Sequence, residues 1–264
     1  YTWTVPTGAT IASGAGTNSI TVDFSVSATN GNITVSGINQ CGSGPATPFT
    51  VTVNELPIPV ISGPVSMCQN STGNVYSTES GMTNYEWTVT GGTITAGAAT
   101  NSITVTWDVA GAQSVNVNYA NSNGCSAVAP VVYPVTVLEL PVPIISGANV
   151  ACESTAYLDY TTEPGMTNYV WNISPNSGTF VQSNTNVTTI FWTAAGAKWV
   201  SVIYTDNNGC TAIPTIYNVT VNPLPGTPGT ISGQTTVCAG ANSVAYSVTA
   251  VANANTYIWT VPAG

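Results

Sequence analysis

The chain has 264 residues, of which 4% are charged, with a single basic residue (Lys198), no His and a net charge of −9. With almost no Lys or Arg to neutralise phosphates, nucleic acid and anionic lipid are excluded as expected partners, and the surface must be wetted by hydroxyls and amides instead. No run of about 18 apolar residues occurs, so no membrane-spanning helix is expected, while 43% hydrophobic residues are enough to bury a core and argue against disorder.

The first eight residues, YTWTVPTG, return almost unchanged as the last eight, YIWTVPAG (257–264). Such a return points to a tandem array, and three independent markers share its period. Trp3, Trp87, Trp171 and Trp259, each two residues after a Tyr, are separated by 84, 84 and 88 residues. Cys41, Cys125 and Cys210 are 84 and 85 apart, and Cys68, Cys152 and Cys238 are 84 and 86 apart. The linkers VNELPIPVISG (53–63), VLELPVPIISG (137–147) and VNPLPGTPGTISG (221–233) form the third series. These markers divide the chain into the later part of one module (1–54), two whole modules (55–138 and 139–222) and the earlier part of a fourth (223–264). Two incomplete modules at the ends are what a segment cut from a longer array would show.

Within a module the apolar residues alternate, which predicts strands. In chain order the first such strand holds Ile20, Val22 and Phe24, matched by Ile103, Val105 and Trp107 and by Thr188, Ile190 and Trp192. Val115, Val117 and Tyr119 follow, matched by Val200, Val202 and Tyr204. A last strand holds Phe49, Val51 and Val53, then Tyr133, Val135 and Val137, then Tyr217, Val219 and Val221. TGGT, NSNG and DNNG supply turn residues between them. No segment has sustained helical spacing, so the expected fold is all-β, with about seven short strands per module in two sheets. The repeated tryptophans Trp3, Trp87, Trp171 and Trp259 are expected in the module cores.

Each whole module runs Cys68, Trp87, Cys125 or Cys152, Trp171, Cys210. That order is similar to immunoglobulin-type sandwiches, in which the Trp packs on an inter-sheet disulfide. The likeness implies pairs Cys68–Cys125 and Cys152–Cys210, leaves Cys41 and Cys238 unpaired within the segment, and implies an oxidising, extracellular compartment. Buried reduced thiols are the alternative. A zinc site is disfavoured because the thiols are far apart and no His exists, and a catalytic thiol would lack a base.

Other chemistry is sparse. The four Asp, six Glu and one Lys offer no acid–base constellation, so neither an enzyme nor a cofactor is expected. Glu55 and Glu139 are read as the one carboxylate pair at module-equivalent positions. They sit in linkers, as solvated residues or, less simply, as part of a calcium bridge at the joint; Pro223 replaces them in the third linker. Isopeptide cross-links would need a Lys in every module, and only Lys198 is present. Trp199, with Asn30 and Ser114 at its aligned positions, is read as packed locally under a loop or, as the candidate ligand contact, exposed to a sugar or a neighbouring chain. Asn32, Asn70, Asn172, Asn186 and Asn218 lie in Asn-x-Ser/Thr sequons and would be glycan acceptors in a eukaryotic secretory pathway.

The string YxWTVPxGATIxSGxGTNSITVxF, followed by NGC or NQC, a VTV strand, an LP linker and ISGxxxVC, resembles the PKD-like (polycystic kidney disease-like) repeats of Bacteroidota surface and secreted proteins along the whole chain. WDVAG (107–111) departs from the WDFGDG of better-known PKD modules. The resemblance implies an immunoglobulin-like β-sandwich and a non-enzymatic role as stalk, spacer or filament in cell-surface adhesion, exported by the type IX route. Its implied partners are neighbouring modules, other copies of the chain and possible glycans. A carbohydrate-binding module using exposed aromatics is the alternative reading. Modules of this type, joined by short Pro-containing linkers, are expected to extend as a rod.

Overall fold

The computed structural model describes residues 1–181 and 184–262. The last two residues of the closing YIWTVPAG lie outside them. The described residues are all strand, turn and irregular backbone, and they fall into two compact units, Tyr1–Leu138 and Glu139–Gly264.

In the first unit, residues 55–138 form a sandwich of two sheets. One has the lateral order Thr83–Val89, Gly111–Ala120, Val131–Leu138, Ser66–Cys68; the other has Gly92–Ala96, Ser102–Trp107, Asn74–Ser77. All pairings are antiparallel except that of Ser66–Cys68 with Val131–Leu138, which is parallel. The alternation seen in the sequence decides which side chains fill the space between the sheets. Ile103, Val105 and Trp107 face inward from one sheet and Val115, Val117, Val135 and Val137 from the other, joined by Ile61, Tyr76 and Trp87. Tyr76 meets Trp107 edge-on with ring centroids 6.1 Å apart, a geometry favoured by the ring quadrupoles.

The second unit repeats this plan. Val150–Cys152 runs parallel to Thr215–Asn222, which continues the sheet through Gly196–Thr205 to Thr167–Ile173. The facing sheet holds Ser146–Gly147, Tyr157–Thr161, Val187–Trp192 and Gly178–Val181. Ser146–Gly147 extends an edge that the first unit marks only by the bridge Ser62↔Ser77. Tyr160, Trp171, Ile190, Trp192, Val200, Val202, Val219 and Val221 fill the core, and Tyr160 meets Trp192 edge-on at 6.4 Å.

The flanking segments have less to bury against. Residues 1–54 form a sheet of Thr2–Thr4, Gly31–Ser36 and Thr47–Val51 beside a hairpin of Ala9–Ser13 and Thr21–Phe24. Phe24 and Phe49 are 42% and 71% exposed there. Residues 223–264 hold one short pair, Ser232–Gly233 with Tyr246–Ser247. The expected core position of the tryptophans therefore needs correction at the ends. Trp87 and Trp171 are buried, Trp3 is half-buried, and Trp259 is 49% exposed because no facing sheet covers it among the described residues.

Candidate functional site

Each whole module fastens its own entry linker. In PIPVI, Pro59 and Ile61 turn inward and Ile58 and Val60 outward; in PVPII, Pro143 and Ile145 turn inward and Val142 and Ile144 outward. Proline suits this segment because its fixed φ favours an extended edge that needs few N–H donors. In each module one amide of that edge is bound by a carboxylate. Val60 N–H donates to Glu79 Oε2 at 3.2 Å, and the Thr78 and Tyr119 hydroxyls donate to the same oxygen at 2.6 and 2.8 Å. In the second module Ile144 N–H donates to Glu163 at 2.9 Å and the Thr162 hydroxyl at 2.6 Å. Tyr85 and Tyr169 donate to the backbone carbonyls of Glu79 and Glu163 at 2.8 and 2.7 Å.

Partial burial pushes the Glu79 and Glu163 carboxyls up, and the hydrogen bonds from the neighbouring threonine, the glutamate's own amide, the linker amide and the tyrosine outweigh it, leaving both below the usual value. The tyrosines respond in the opposite sense. Burial first, then the adjacent carboxylate, raises Tyr119 and Tyr204 to about 12. Sequence reading passed over this pair, although Glu79 and Glu163 are themselves 84 residues apart and the period was the signal that could have found them. Glu55 and Glu139 are therefore not the only recurring carboxylates, and it is the overlooked pair that organises the linker.

Two further contacts recur across copies. Trp3, Trp87 and Trp171 each donate an indole N–H to a loop carbonyl, of Thr17 (2.9 Å), Thr100 (2.8 Å) and Thr185 (3.1 Å). In the first two copies the acceptor loop is shaped by a Gly at positive φ (Gly14, Gly97) and by a Thr hydroxyl bonded across it. The tyrosines Tyr76, Tyr160 and Tyr246 reach the carbonyls of Pro64, Ala148 and Gln234 at 3.0, 2.9 and 3.0 Å. Their rings cover the Gly of ISG so closely that a Cβ on Gly63 or Gly147 would stand 2.3 Å from ring carbon Cδ1.

The cysteines are not placed as the immunoglobulin likeness implied. Cys125 and Cys152 are free thiols, whereas Cys68 and Cys210 are each disulfide-bonded. Neither Cys68–Cys125 nor Cys152–Cys210 is formed, and the reason lies in the register. Cys68 ends the strand parallel to the last one, level with Leu138, and Val137 lies opposite Gly111. Cys125 sits beyond the other end of Gly111–Ala120, where Asn121 N–H donates to its carbonyl at 2.9 Å. The two cysteines are thus at opposite ends of one sheet, roughly 30 Å apart at about 3.3 Å per residue, against a Cα separation of about 4.4–6.8 Å in a disulfide. Cys152, level with Asn222, and Cys210, after Gly196–Thr205, repeat the arrangement. Trp87 and Trp171 consequently pack against no disulfide of their own module.

The turn cysteines are held alike. Asn121 Oδ1 accepts from Asn123 and Cys125 N–H at 3.0 and 3.1 Å, and Asp206 Oδ1 from Asn208 and Cys210 N–H at 2.9 and 2.8 Å. Gly124 and Gly209 close these turns at φ of 81° and 84°. Cys41 is placed by Asn39 Oδ1, which accepts from its N–H at 2.8 Å. Within the first unit Cys125 borders an open cleft between residues 1–54 and the module that follows, lined by Phe24, Val26, Glu55, Leu56, Ile58 and Val128. Asn121 also donates to the Glu55 carbonyl at 3.0 Å across this joint. Cys238 is exposed.

Trp199 is half-buried in Gly196–Thr205, opposite Asn218, and its carbonyl accepts from Ser174 N–H at 3.0 Å. It shares its strand with Lys198, also half-buried. Among the described residues no three His, Cys, Asp or Glu side chains gather into a group that could hold a metal ion, and no helix is long and apolar enough to cross a membrane.

A search of curated proteins returns no match. Among solved structures, the chain is similar to fibronectin(III)-like modules of Clostridium thermocellum CbhA, at 13% identity over 62% of this chain and 95% of that one, TM-score 0.28. It is also similar to the D00-D0 domain of intimin, at 14% identity over 61% and 99%, TM-score 0.30. A third is the Escherichia coli adhesin FdeC, at 17% identity over 73% and 74%, TM-score 0.33. The model of the PKD-like domain matches residues 1–51, 55–134 and 224–264, and residues 139–222 repeat the strand plan of 55–138. Three matched segments that together cover more than half of the chain place it in the PKD-like domain family.

Proposed function

We propose that this chain is a non-enzymatic stalk or spacer segment of a longer extracellular surface protein of the adhesion type, built from modules 1–54, 55–138, 139–222 and 223–264. The observation that carries this reading is the folding of each entry linker onto the module it enters. Pro143 and Ile145 are buried in that module and Ile144 N–H is bound by Glu163, so only residues 139–142 lie between Leu138, the last residue of a strand, and the anchored chain. So short a connection, with proline in it, cannot behave as a flexible coil. Stiff joints between independently cored modules give reach, the property a spacer needs. The near absence of charge leaves side-by-side association into filaments open to neighbouring chains.

Small-angle scattering on the full chain in dilute solution tests this. A rod of three module lengths, at roughly 30–40 Å each from strand rise, has a radius of gyration of about 30 Å, whereas a compact chain of this size would give about 18 Å. A value near the smaller figure, or one that varies with salt as a flexible chain would, overturns the reading.

A further inference from the structure

We propose that the outer face of one sheet of the second unit binds an uncharged polysaccharide, with Trp199 as its stacking platform. The sheet is the one that runs from Val150–Cys152 through Thr215–Asn222 and Gly196–Thr205 to Thr167–Ile173, and alternation fixes which side chains stand on each side of it. Val200, Val202 and Val219 are buried in the core, so Trp199, Ser201 and Ile203 turn outward, with Ile216 and Asn218 on one flank and Val170 and Asn172 on the other. The register sets them in rows. Val170 lies opposite Ile203, Ser201 lies between Asn172 and Ile216, and Trp199 lies opposite Asn218. Ile216 is 61% and Val170 37% exposed, Trp199 and Ile203 are half-buried, and the central Ser201 is closed over by its neighbours. The result is a continuous apolar patch with an indole at one end and an amide on either side.

The module at residues 55–138 shows that the fold does not require this patch. On the same strand plan it carries Glu86 and Asn118 as the cross-strand pair where the second module has Val170 and Ile203. Ser114 stands there in place of Trp199. Its amides are also tied down: Asn116 Nδ2 donates to Thr88 Oγ1 and Asn118 Nδ2 to the Ala127 carbonyl, each at 3.1 Å. In the second module Asn172 and Asn218 are exposed, and among the described residues their side chains have no hydrogen-bond partner in the protein. A sheet face that solvates well with Glu, Ser and Asn has no folding reason to carry Val, Trp and Ile, and such a patch marks a binding surface.

Chemistry and size select the occupant. Apolar surface with a few placed polar groups is the make-up of a small-ligand site. A pyranose ring sets its C–H side on an indole and turns its hydroxyls to amides, and Asn can both donate to and accept from them. The four strands hold one charged residue, Lys198, which is opposite the buried Val219 and so turns away from this face. With no cation on the face and a net charge of −9, an anionic polymer is repelled and a neutral one is not. Three rows of side chains on three strands span roughly 14 Å by 10 Å. That holds a few sugar rings and is a small fraction of the about 800 Å² that each partner of a stable protein complex contributes, so a second copy of the chain is not the occupant. The face can act in this way whether or not the array serves as a stalk.

Native electrophoresis of the full chain through gels containing hydroxyethyl cellulose, arabinoxylan or galactomannan tests this, with alginate as the anionic control. At least one of the neutral polymers should retard the chain, and alginate should not. Trp199→Ala should weaken that retardation about 10-fold or more, as removal of a central aromatic anchor does, while Trp199→Phe, which keeps a ring, retains part of it. Val170→Glu/Ile203→Asn installs residues that the first module carries at those positions on the same plan, and should weaken binding without unfolding the unit, which circular dichroism checks. Val132→Ala, on the first module's corresponding face and 65% exposed, should bind as the unsubstituted chain does. Overturning results are passage through all three neutral gels without retardation, retardation by alginate alone, and retardation that survives both Trp199→Ala and Val170→Glu/Ile203→Asn in folded protein. Concentration-dependent dimers that Trp199→Ala abolishes would give the face to a second copy and overturn the proposal as well.

Discussion

The Tyr119 hydroxyl donates a 2.8 Å hydrogen bond to the carboxylate of Glu79, which also receives the linker amide of Val60. One oxygen thus ties the end of a central strand to the segment by which the chain enters the module. Glu79→Gln keeps the shape but leaves three donors competing for one neutral amide oxygen. The expected cost is about 1–2 kcal/mol, the range for weakening a partly buried hydrogen-bond node. Urea unfolding reads the loss, and hydrogen exchange locates it as faster exchange at Val60. An unchanged midpoint with unchanged Val60 protection would show that the carboxylate anchors nothing.

The same node sets a pH response at both ends of the scale. Glu79 and Glu163 are held below the usual carboxyl value in the fold. Their contribution is therefore present above the ordinary Glu range and is lost as pH falls through the depressed folded value. Glu79→Gln/Glu163→Gln should flatten that acid limb. Tyr76, Tyr119 and Tyr204 are raised to about 12 by burial, so the unfolded chain releases these protons first. Stability should fall as pH rises from about 10 to about 12, the interval between the unfolded and folded values. Melting temperatures across alkaline pH measure this, and Tyr119→Phe/Tyr204→Phe should make the decline shallower.

The strand plan was legible in the sequence because each module is half-buried by alternation. Ile103, Val105 and Trp107, or Val200, Val202 and Tyr204, are placed where a period of two puts them. The cysteine pairing was not legible, since the order Cys, Trp, Cys does not say which strand holds the first Cys. Here that strand runs parallel to the last one and ends at the exit of the module, far from the turn holding Cys125. Glu79 and Glu163 were missed for a different reason. Carboxylates were weighed as metal ligands or acids, whereas these two act as acceptors for hydroxyl and amide donors, a role with no sequence motif of its own. The exposed Trp259 shows the limit of motif matching, because burial depends on strands that the motif does not contain.

The glycine of ISG yields a sharper expectation. A Cβ on Gly147 would meet the Tyr160 ring at 2.3 Å, and that ring cannot retreat, being fully buried with its hydroxyl bonded to the Ala148 carbonyl. Gly147→Ala should destabilise by about 1–3 kcal/mol, the usual cost of overpacking a core. Gly229→Ala, with nothing within 4 Å of the new methyl, should change stability by no more than about 0.5 kcal/mol. Equal urea midpoints for the two variants would show that Tyr160 is free to shift.

The last prediction separates motif from context by removing the same tryptophan in two settings. Trp171 is fully buried, its indole N–H donates to Thr185, and it lies among Val202, Ile190 and Tyr204 in one core. Trp171→Ala removes one of the two buried tryptophans of that core and leaves a void that rigid sheets on both sides cannot close, at about 3–5 kcal/mol. A domain is stable by about 5–15 kcal/mol in total, so the second unit should melt far earlier or fail to fold, with loss of its near-ultraviolet circular dichroism. Trp259 belongs to the same YxWTV motif, yet it is 49% exposed, with no sheet facing it among the described residues. Trp259→Ala should therefore move the midpoint by less than about 0.5 kcal/mol. If the two substitutions cost the same, the stabilising element would be the local strand and not the sandwich around it.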